Sequence, residues 1–204
     1  FVNDENASDI DLEPEISTTA TEVSVAGEYP ITLSGGEADN YHFSYHGSTL
    51  AIGEGAQHID VFEVDSNATY GDEDMQLTGV ATSGLSVSYE SSNPDVLEVN
   101  GTKLKVRGAG VAVITAYQEG DDNYFAASDL NATVTVYTAE LHATADPQSK
   151  AYLDEVPELT YFYEGFVNDE NASDIDLEPE ISTTATEVSV AGEYPITLSG
   201  GEAD

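Results

Sequence analysis

Apolar and polar residues alternate in short runs along most of the chain. Because successive side chains of a β-strand point to opposite faces, this two-residue period predicts strands with one buried face. The runs are rich in Val, Thr, Tyr and Ile, which are frequent in strands. The predicted strands cover 41–45, 49–52, 59–62, 76–80, 85–89, 104–106, 111–117, 133–136, 141–145, 159–163 and 194–198.

Residues typical of turns separate these runs, and the stretch 97–106 is the clearest hairpin. Asn100-Gly101 lies between two alternating segments. Asn-Gly is favoured in two-residue hairpin turns in which both residues have positive φ. No window of the sequence keeps a helical period of about 3.6 residues. Strands at intervals of about 8–12 residues predict an all-β fold built from Ig-like β-sandwich modules.

The segment 1–39 returns without a mismatch as 166–204, which gives a period of 165 residues (166 − 1). A fixed period is the signature of a tandem array in which each unit contacts its neighbours. One period divides into two parts of about 80 residues, a size that suits small β-sandwiches. We therefore predict tandem modules in an elongated array with a two-module repeat, cut from a longer secreted polypeptide.

Two groups of motifs resemble known bacterial repeat families. The first group resembles a bacterial Ig-like repeat and comprises Tyr70-Gly71-Asp72, Ser91-Ser92-Asn93-Pro94, Gly108-Ala109-Gly110 and Gly120-Asp121-Asp122-Asn123-Tyr124. The second group resembles the MBG-type repeat and comprises Gln148-Ser149-Lys150-Ala151-Tyr152, Leu159-Thr160-Tyr161, Ile181-Ser182-Thr183-Thr184-Ala185 and Gly192-Glu193-Tyr194-Pro195-Ile196. Tyr152-Leu153 departs from the MBG pattern, which usually has Tyr-Gly there. The resemblance implies extracellular modules of large bacterial surface proteins, without a catalytic residue.

These resemblances predict three modules in the chain. Residues 1–56 form the C-terminal part of an MBG-type β module, and 57–137 form a complete bacterial Ig-like β-sandwich. Residues 138–204 form the N-terminal part of the next MBG-type module. On this division, the second partial module lacks the equivalent of 40–56.

The composition limits the classes of partner. The chain has 40 acidic residues against 4 Lys and Arg, a formal net charge of −36. Such a surface repels nucleic acid and anionic membranes, so we expect no nucleic-acid partner and no direct membrane insertion. The chain has no Cys, which excludes disulfides, thiol nucleophiles and thiolate metal sites.

Asn-x-Ser/Thr triplets occur at Asn6, Asn67, Asn100 and Asn131, and Asn171 is the copy of Asn6. This triplet is the acceptor for N-linked glycans. An acidic residue lies two positions before each asparagine, a pattern that resembles the extended acceptor of bacterial-type oligosaccharyltransferases. We therefore predict glycosylation at these sites. The alternative is coincidence in acid-rich turns, because Asn and Asp are both favoured in turns.

Clusters of carboxylates are the other candidate chemistry. Ca²⁺ binds about six to eight oxygen atoms, many of them from carboxylates. Asp72, Asp74, Asp121 and Asp122 flank one end of the predicted Ig-like module and are candidate calcium ligands. Their spacing does not match an EF-hand, and an acidic surface in contact with water is the simpler interpretation.

Together these features predict a structural segment of a long, secreted, glycosylated tandem-repeat protein that forms a bacterial surface stalk or an extracellular fibre. We expect no enzyme activity and no required cofactor, with glycans attached covalently and calcium as a further ligand. The expected partners are neighbouring repeats of the same chain, other chains in a fibre, and glycans. The alternative is a multivalent carbohydrate- or mucin-binding adhesin, in which exposed aromatic residues such as Tyr161 and Tyr163 contact sugar rings.

Overall fold

The computed structural model describes residues 1–202 and is all-β, apart from two 3-10 helices at Ala7–Asp9 and Ala172–Asp174. The first eight strands are β1 (Leu12–Thr18), β2 (Gly27–Glu37), β3 (Ser48–Ile52), β4 (Ile59–Glu63), β5 (Asn67–Thr69), β6 (Met75–Gln76), β7 (Thr78–Ala81) and β8 (Ser88–Ser91). The others are β9 (Leu97–Asn100), β10 (Lys103–Val106), β11 (Gly110–Tyr117), β12 (Leu130–Tyr137), β13 (His142–Ala145), β14 (Tyr161–Glu164), β15 (Glu180–Thr183) and β16 (Ile196–Ser199). Across these 202 residues, no helix has the length and apolar character that crossing a membrane requires.

The strands belong to two compact units, each made from separate segments of the chain. The first unit comprises Phe1–Glu63, Thr78–Ser88 and Ala116–Leu130, and contains the sheets β1-β2-β3 and β4-β7. The second unit comprises Val64–Leu77, Tyr89–Thr115 and the residues from Asn131 onward. It contains the sheets β6-β10-β9, β13-β14 and β15-β16, and most of the four-stranded sheet β5-β12-β11-β8. The three-module division of the sequence stays a prediction.

The buried hydrophobic side chains of the described residues all lie between Ile59 and Val136. In the second unit, Leu97, Leu104, Ile114 and Val134 are completely buried. Full burial of one such aliphatic side chain contributes about 1.5–3 kcal/mol to folding. The burial of alternate residues along β10, β11 and β12 confirms the period-two prediction for these strands.

The hairpin predicted at 97–106 is confirmed, but its turn lies one residue later than predicted. Asn100 of β9 pairs with Lys103 of β10, so the two turn residues are Gly101 and Thr102. Gly101 has a φ of +62°, whereas Asn100 keeps negative φ. Glycine at the first turn position is typical of a type II′ turn. The prediction that Asn100 has positive φ was wrong, because Asn100 is still paired with the neighbouring strand.

The prediction of a strand at 41–45 was also wrong. The aromatic rings of Phe43 and Tyr45 stack with centroids 5.8 Å apart, and both pack against Gly36 of β2. The side chains of Phe43 and Tyr45 therefore point to the same side, as the alternation predicts, but their segment packs through its rings and does not pair with a strand. A two-residue period reports the direction of side chains and carries no information about backbone pairing.

Two further strand predictions were misplaced, and four strands were missed. The predicted strand at 76–80 is divided at Leu77, whose amide donates to Thr102 O (2.8 Å). The predicted strand at 85–89 is shifted to β8. The missed strands are β1, β2, β5 and β15, although the identical copy of part of β2 was predicted at 194–198. The sequence of β1 is Leu-Glu-Pro-Glu-Ile-Ser-Thr, and Pro and Glu are uncommon in strands, which obscures its apolar alternation.

The two copies of the 39-residue repeat form strands of different length. β2 spans eleven residues in the first copy, whereas β16 spans four in the second. In the first copy β2 lies between β1 and β3, and β3 pairs with Gly27–Ile31. The second copy pairs only β15 with β16. Since the two sequences are identical, the difference in strand length follows from pairing: β3 pairs with the N-terminal end of β2, and the longer β1 pairs with its C-terminal end.

Leu153 lies in a four-residue turn that matches the turn at Gly71. In both turns the fourth residue is an aspartate whose amide donates to the first carbonyl, and whose carboxylate accepts from the first amide. The third residue is Gly71 at φ +95° in one turn and Leu153 at φ +72° in the other. Positive φ costs a residue with a Cβ atom about 1–2 kcal/mol. The departure from Tyr-Gly at Leu153 therefore leaves the turn in place but makes it strained.

We expect Leu153→Gly to stabilise the folded chain. Removing the strain outweighs the extra unfolded-state entropy of glycine, for a net gain of about 0.5–1 kcal/mol in the free energy of unfolding. Leu153 is 63% exposed, so the lost side chain gives up little packing. The measurement is equilibrium urea unfolding followed by circular dichroism.

The matched control is Leu12→Gly, because Leu12 is similarly exposed (55%) but has negative φ. That change should destabilise by about 0.5–1 kcal/mol, the ordinary cost of glycine in a strand. Equal destabilisation by the two substitutions would show that Leu153 is not strained.

Candidate acceptor asparagines and acidic turns

All five predicted acceptor asparagines are exposed. Asn6 and Asn171 lie immediately before the two 3-10 helices and cap them. Asn67 is the first residue of β5, Asn100 the last of β9, and Asn131 the second of β12. The asparagines thus lie at the ends of elements, where the strand-and-turn pattern of the sequence placed them.

At Asn6 and Asn171 the acceptor triplet forms the same compact turn. The Oγ of Ser8 donates to the Oδ1 of Asn6 at 2.8 Å, and the backbone amide of Ser8 donates to the same oxygen at 3.1 Å. Ser173 and Asn171 repeat both distances. These bonds hold the carboxamide through its oxygen, whereas an N-linked glycan is attached through Nδ2. The arrangement brings the asparagine and the hydroxyl of each triplet into direct contact.

The side chains of Asn67 and Asn131 also contact hydroxyl groups, and Oδ1 of Asn67 accepts from the hydroxyl of Tyr137 at 3.4 Å. The Oγ1 of Thr115, on β11, donates to Oδ1 of Asn131 at 2.7 Å. At Asn67 the Nδ2 atom itself donates to Oγ of Ser66 at 3.0 Å. A glycan on Asn131 is compatible with its hydrogen bond, and a glycan on Asn67 would change the bond to Ser66.

The acidic residues two positions before the asparagines differ in their surroundings. Asp4 and Asp169 have φ of +63° and +62°, next to Asn3 and Asn168, which also have positive φ. Asn and Asp tolerate this conformation better than other residues with side chains. Glu98, before Asn100, instead accepts a hydrogen bond from Nε of Arg107 at 2.7 Å. The acidic residues thus share their position in the sequence, two residues before an asparagine, but not one local structure.

The four predicted calcium ligands are divided between the two units, with Asp72 and Asp74 in one and Asp121 and Asp122 in the other. Asp72 accepts from the amide of Thr69 at 2.7 Å and so closes its turn. Over residues 1–202, His, Cys, Asp and Glu side chains form no group of three or more that could hold a metal ion. Calcium binding therefore stays a prediction. The hydrogen bond that Asp72 accepts stabilises its own turn.

Asp121 organises a loop of the first unit in the same way. Its Oδ1 accepts from the amides of Asn123 (2.8 Å) and Tyr124 (3.0 Å). The Oδ1 of Asn123 then accepts from the amide of Ala26 at 2.9 Å, and the Asn123 carbonyl accepts from Gly55 N at 2.7 Å. This loop therefore connects the first repeat copy to the segment that resembles an Ig-like repeat. The sequence analysis missed Asn123, because an Asn after two aspartates looks like an ordinary solvated turn.

A second connection lies in the second unit, at the turn around Gly71. The hydroxyl of Tyr70 donates to Oε1 of Glu170 at 2.6 Å. A Cβ atom at Gly71 would lie 2.7 Å from the Cβ of Val167, so the side chain of Val167 packs directly on the glycine. The hydrogen bond to Glu170 raises the pKa of Tyr70 above its usual value of 10.0. This connection joins the repeat copy 166–204 to the segment that precedes it, and sequence analysis did not find it.

The aromatic residues proposed for sugar binding pack on each other. The ring centroids of Tyr161 and Tyr163 are 5.4 Å apart, and those of Tyr163 and Phe166 are 5.7 Å apart, both edge-to-face. Edge-to-face pairs contribute about 0.5–1.5 kcal/mol beyond the area that they bury. Tyr161 and Tyr163 are half-buried, so these two rings stabilise the segment around β14.

Comparison with known families identifies one match. The model of the MBG domain of YGX type matches residues 1–51 and 141–204. These ranges include both copies of the repeat and the strands β13 and β14, and they confirm the resemblance to MBG-type repeats. A search of curated proteins found no match.

The two copies of the repeat provide a matched test of the tyrosine–glutamate bonds. Glu5, the counterpart of Glu170, accepts from the hydroxyl of Tyr41 at 2.5 Å, and this bond raises the pKa of Tyr41. We expect Glu170→Gln to lower the pKa of Tyr70 towards 10.0 and leave Tyr41 unchanged. Glu5→Gln should do the reverse. The measurement is a pH titration of the tyrosine Cζ chemical shifts by NMR.

The sign of the stability effect follows from the raised pKa. The stabilisation from Tyr70–Glu170 is fully present below the unfolded-state pKa of the phenol, and is lost as the pH rises through the higher folded-state value. If each substitution shifted both tyrosines equally, the effect would be a general loss of negative charge, and the specific bonds would be excluded as its cause.

Proposed function

The chain belongs to the MBG domain family of YGX type, and we propose that it is a glycosylated structural segment of a long secreted protein, forming a bacterial surface stalk or an extracellular fibre. MBG domains are repeat modules of surface proteins, of a structural or adhesin type. This proposal includes the attached glycans, the hydrogen-bonded connections between segments and the extracellular assembly, with calcium as a further ligand.

Exposure of all five acceptor asparagines is the observation on which the glycan proposal depends. An acceptor must reach the active site of a transferase, and the attached sugar must remain in water, so a buried asparagine is excluded as an acceptor. The serine hydroxyl contacts the carboxamide in both copies of the first triplet. An acidic residue also lies two positions before each asparagine, and ordinary turns do not require an acid there, which further supports the glycan proposal.

The structural role is supported by how the repeat copies are connected. Asn123 accepts a hydrogen bond from Ala26 of the first copy, and Tyr70 donates one to Glu170 of the second copy. Asn123 and Tyr70 both lie outside the repeat. Such contacts between neighbours determine the stability of tandem arrays, in which each repeat supports the next. The net charge of −36 keeps these surfaces hydrated and makes the units repel other anionic surfaces.

Glycopeptide mass spectrometry on native material tests the glycan proposal. We expect sugar on Asn6, Asn67, Asn100, Asn131 and Asn171. Asp65→Asn, which removes the acid before Asn67, should lower the occupancy of Asn67 severalfold when the chain is expressed in its own host. Thr69→Val should abolish it, because the triplet requires the hydroxyl.

The control variant is Asp74→Asn, which removes the same charge at a position outside any acceptor sequence. It should leave the occupancy of Asn67 unchanged. Unmodified asparagine at all five positions would overturn the glycan proposal and leave an acidic structural repeat. Equal effects of Asp65→Asn and Asp74→Asn would show that overall charge matters and the position of the acid does not.

A further inference from the structure

The basic residues of the chain are concentrated on one strand of the second unit. Lys103, Lys105 and Arg107 are three of the 4 Lys and Arg residues in a chain of net charge −36. Along β10 and the residue after it, these three side chains are exposed and alternate with the buried Leu104 and Val106. Alternate residues of a strand lie on one side of the sheet. The three cations therefore form one exposed surface, which we call the cationic face.

The cationic face keeps positive charge available for an anionic group. Within residues 1–202, neither Lys103 nor Lys105 forms an ion pair or a side-chain hydrogen bond. Arg107 donates to one carboxylate oxygen of Glu98 through Nε at 2.7 Å and through Nη2. A guanidinium has more N–H donors than this contact uses, so Arg107 can bind a further acceptor.

The predicted acceptor Asn100 lies on the same side of the sheet as the cations. In the ladder of β9 and β10, Asn100 is opposite Lys103 and Glu98 is opposite Lys105. Directly opposed residues point to one side of the sheet, with their Cβ atoms about 4.5–5.5 Å apart. A sugar attached to Nδ2 of Asn100 therefore begins beside Lys103.

The side chain of Asn100 differs from those of the other predicted acceptors. Four acceptor side chains form a hydrogen bond with a neighbouring hydroxyl, namely Asn6, Asn67, Asn131 and Asn171. In the described part of the chain, the exposed side chain of Asn100 forms none. No side-chain hydrogen bond thus fixes its direction, and an attached glycan can lie along β10.

A shallow pocket lies at the other end of the cationic face. Its volume is about 340 Å³, and it is lined by Pro94, Asp95, Glu98 and Arg107. Pro94 gives it an apolar wall, and the charged groups supply hydrogen-bond donors and acceptors. An apolar surface with a few polar groups is the usual composition of a small-ligand site. Since Lys105 lies between Lys103 and Arg107 on the strand, a glycan that runs from Asn100 along β10 reaches this pocket.

We propose that the cationic face and the adjoining pocket bind the glycan of Asn100, and that this glycan contains an acidic sugar whose carboxylate contacts Lys103 and Lys105. Hydrogen bonds between ammonium and carboxylate groups are about twice as strong as neutral ones. The net charge of −36 repels a free polyanion. A glycan attached at Asn100 is instead held beside the lysines at a high effective concentration. Attachment therefore favours the chain's own glycan over an external anion as the occupant.

This inference rests on the proposed glycosylation and adds the class of sugar and the surface that binds it. The chain offers a matched comparison, because Thr102→Val removes the acceptor triplet of Asn100 alone and leaves the other four triplets intact. Valine keeps the β-branched shape of threonine. Asn100→Gln is a second variant without this acceptor, and circular dichroism shows whether each variant is folded.

Lysine acetylation of the glycoprotein from its own host tests the contact. A neutral acetylating reagent is applied to the natural chain and to both variants, and the modified lysines are quantified by mass spectrometry. We expect Lys103 and Lys105 to react about fivefold faster in the variants, because the glycan no longer covers them. Lys150, the one Lys or Arg outside the cationic face, is the internal control and should react equally in all three proteins.

Salt separates ionic contact from simple coverage by a bulky sugar. In about 1 M NaCl charges are screened within about 3 Å, so Lys103 and Lys105 of the natural chain should lose most of their protection. Protection that persists in high salt would overturn the ionic contact. Equal reactivity of these lysines in the natural chain and the variants would overturn binding of the glycan. Protection that remains in both variants and grows with protein concentration would assign the cationic face to the acidic surface of another copy, and would also overturn the proposal.

The composition of the Asn100 glycopeptide distinguishes this inference from the glycan proposal. We expect a glycan with at least one acidic sugar at Asn100. A neutral glycan there would overturn the inference and leave the glycan proposal unaffected. Unmodified Asn100 in the natural chain would overturn the inference together with the proposed modification of that site.

Discussion

The hydrogen-bonding groups along the edge of a strand must be satisfied by another strand or by water, and this requirement decides which parts of the chain become regular structure. The 39-residue repeat shows it directly, because identical residues form an eleven-residue strand beside β3 and a four-residue strand without such a neighbour. Burial follows the same rule. Ile16 is 70% exposed, whereas its copy Ile181 is half-buried, in the part of the chain where β13 lies against β16. The fold is therefore completed by neighbours in space more than by local preference.

The acidic residues of the chain do more than produce a high net charge. Asp72, Asp154 and Asp121 each accept a backbone amide within a turn, and Asp9 accepts the amide of Asn6 at the start of a 3-10 helix. An ionised carboxylate is a strong acceptor, and turns leave backbone amides without a partner in a ladder. Several carboxylates are therefore hydrogen-bond acceptors for backbone amides in turns. A strongly acidic composition is compatible with a chain made largely of short strands and tight turns.

The class of fold followed from the sequence, because a two-residue period with β-branched and aromatic residues is visible without any tertiary information. The core strands β10, β11 and β12 were found for that reason. The sequence failed where pairing decides the outcome, as at 41–45, where aromatic residues alternate without entering a ladder, and at Asn100, which pairs although Asn-Gly favours a turn. The Asn-x-Ser/Thr triplets are visible in the sequence itself, and the exposure of their asparagines could be predicted from the adjacent turns. The contacts made by Asn123 and Tyr70 could not, since both depend on partners that are far apart in sequence.

Glu5 and Glu170 are the same residue of the repeat, and each accepts a hydrogen bond from a tyrosine hydroxyl, Glu5 from Tyr41 and Glu170 from Tyr70. A carboxylate has room for several donors, so the two bonds are compatible on a single side chain. In an uninterrupted run of repeats, each such glutamate would hold a tyrosine of its own module and a tyrosine of the preceding one. Replacing that glutamate by glutamine would then weaken both tyrosine–glutamate hydrogen bonds at once, and the same two bonds would be weakened in every repeat.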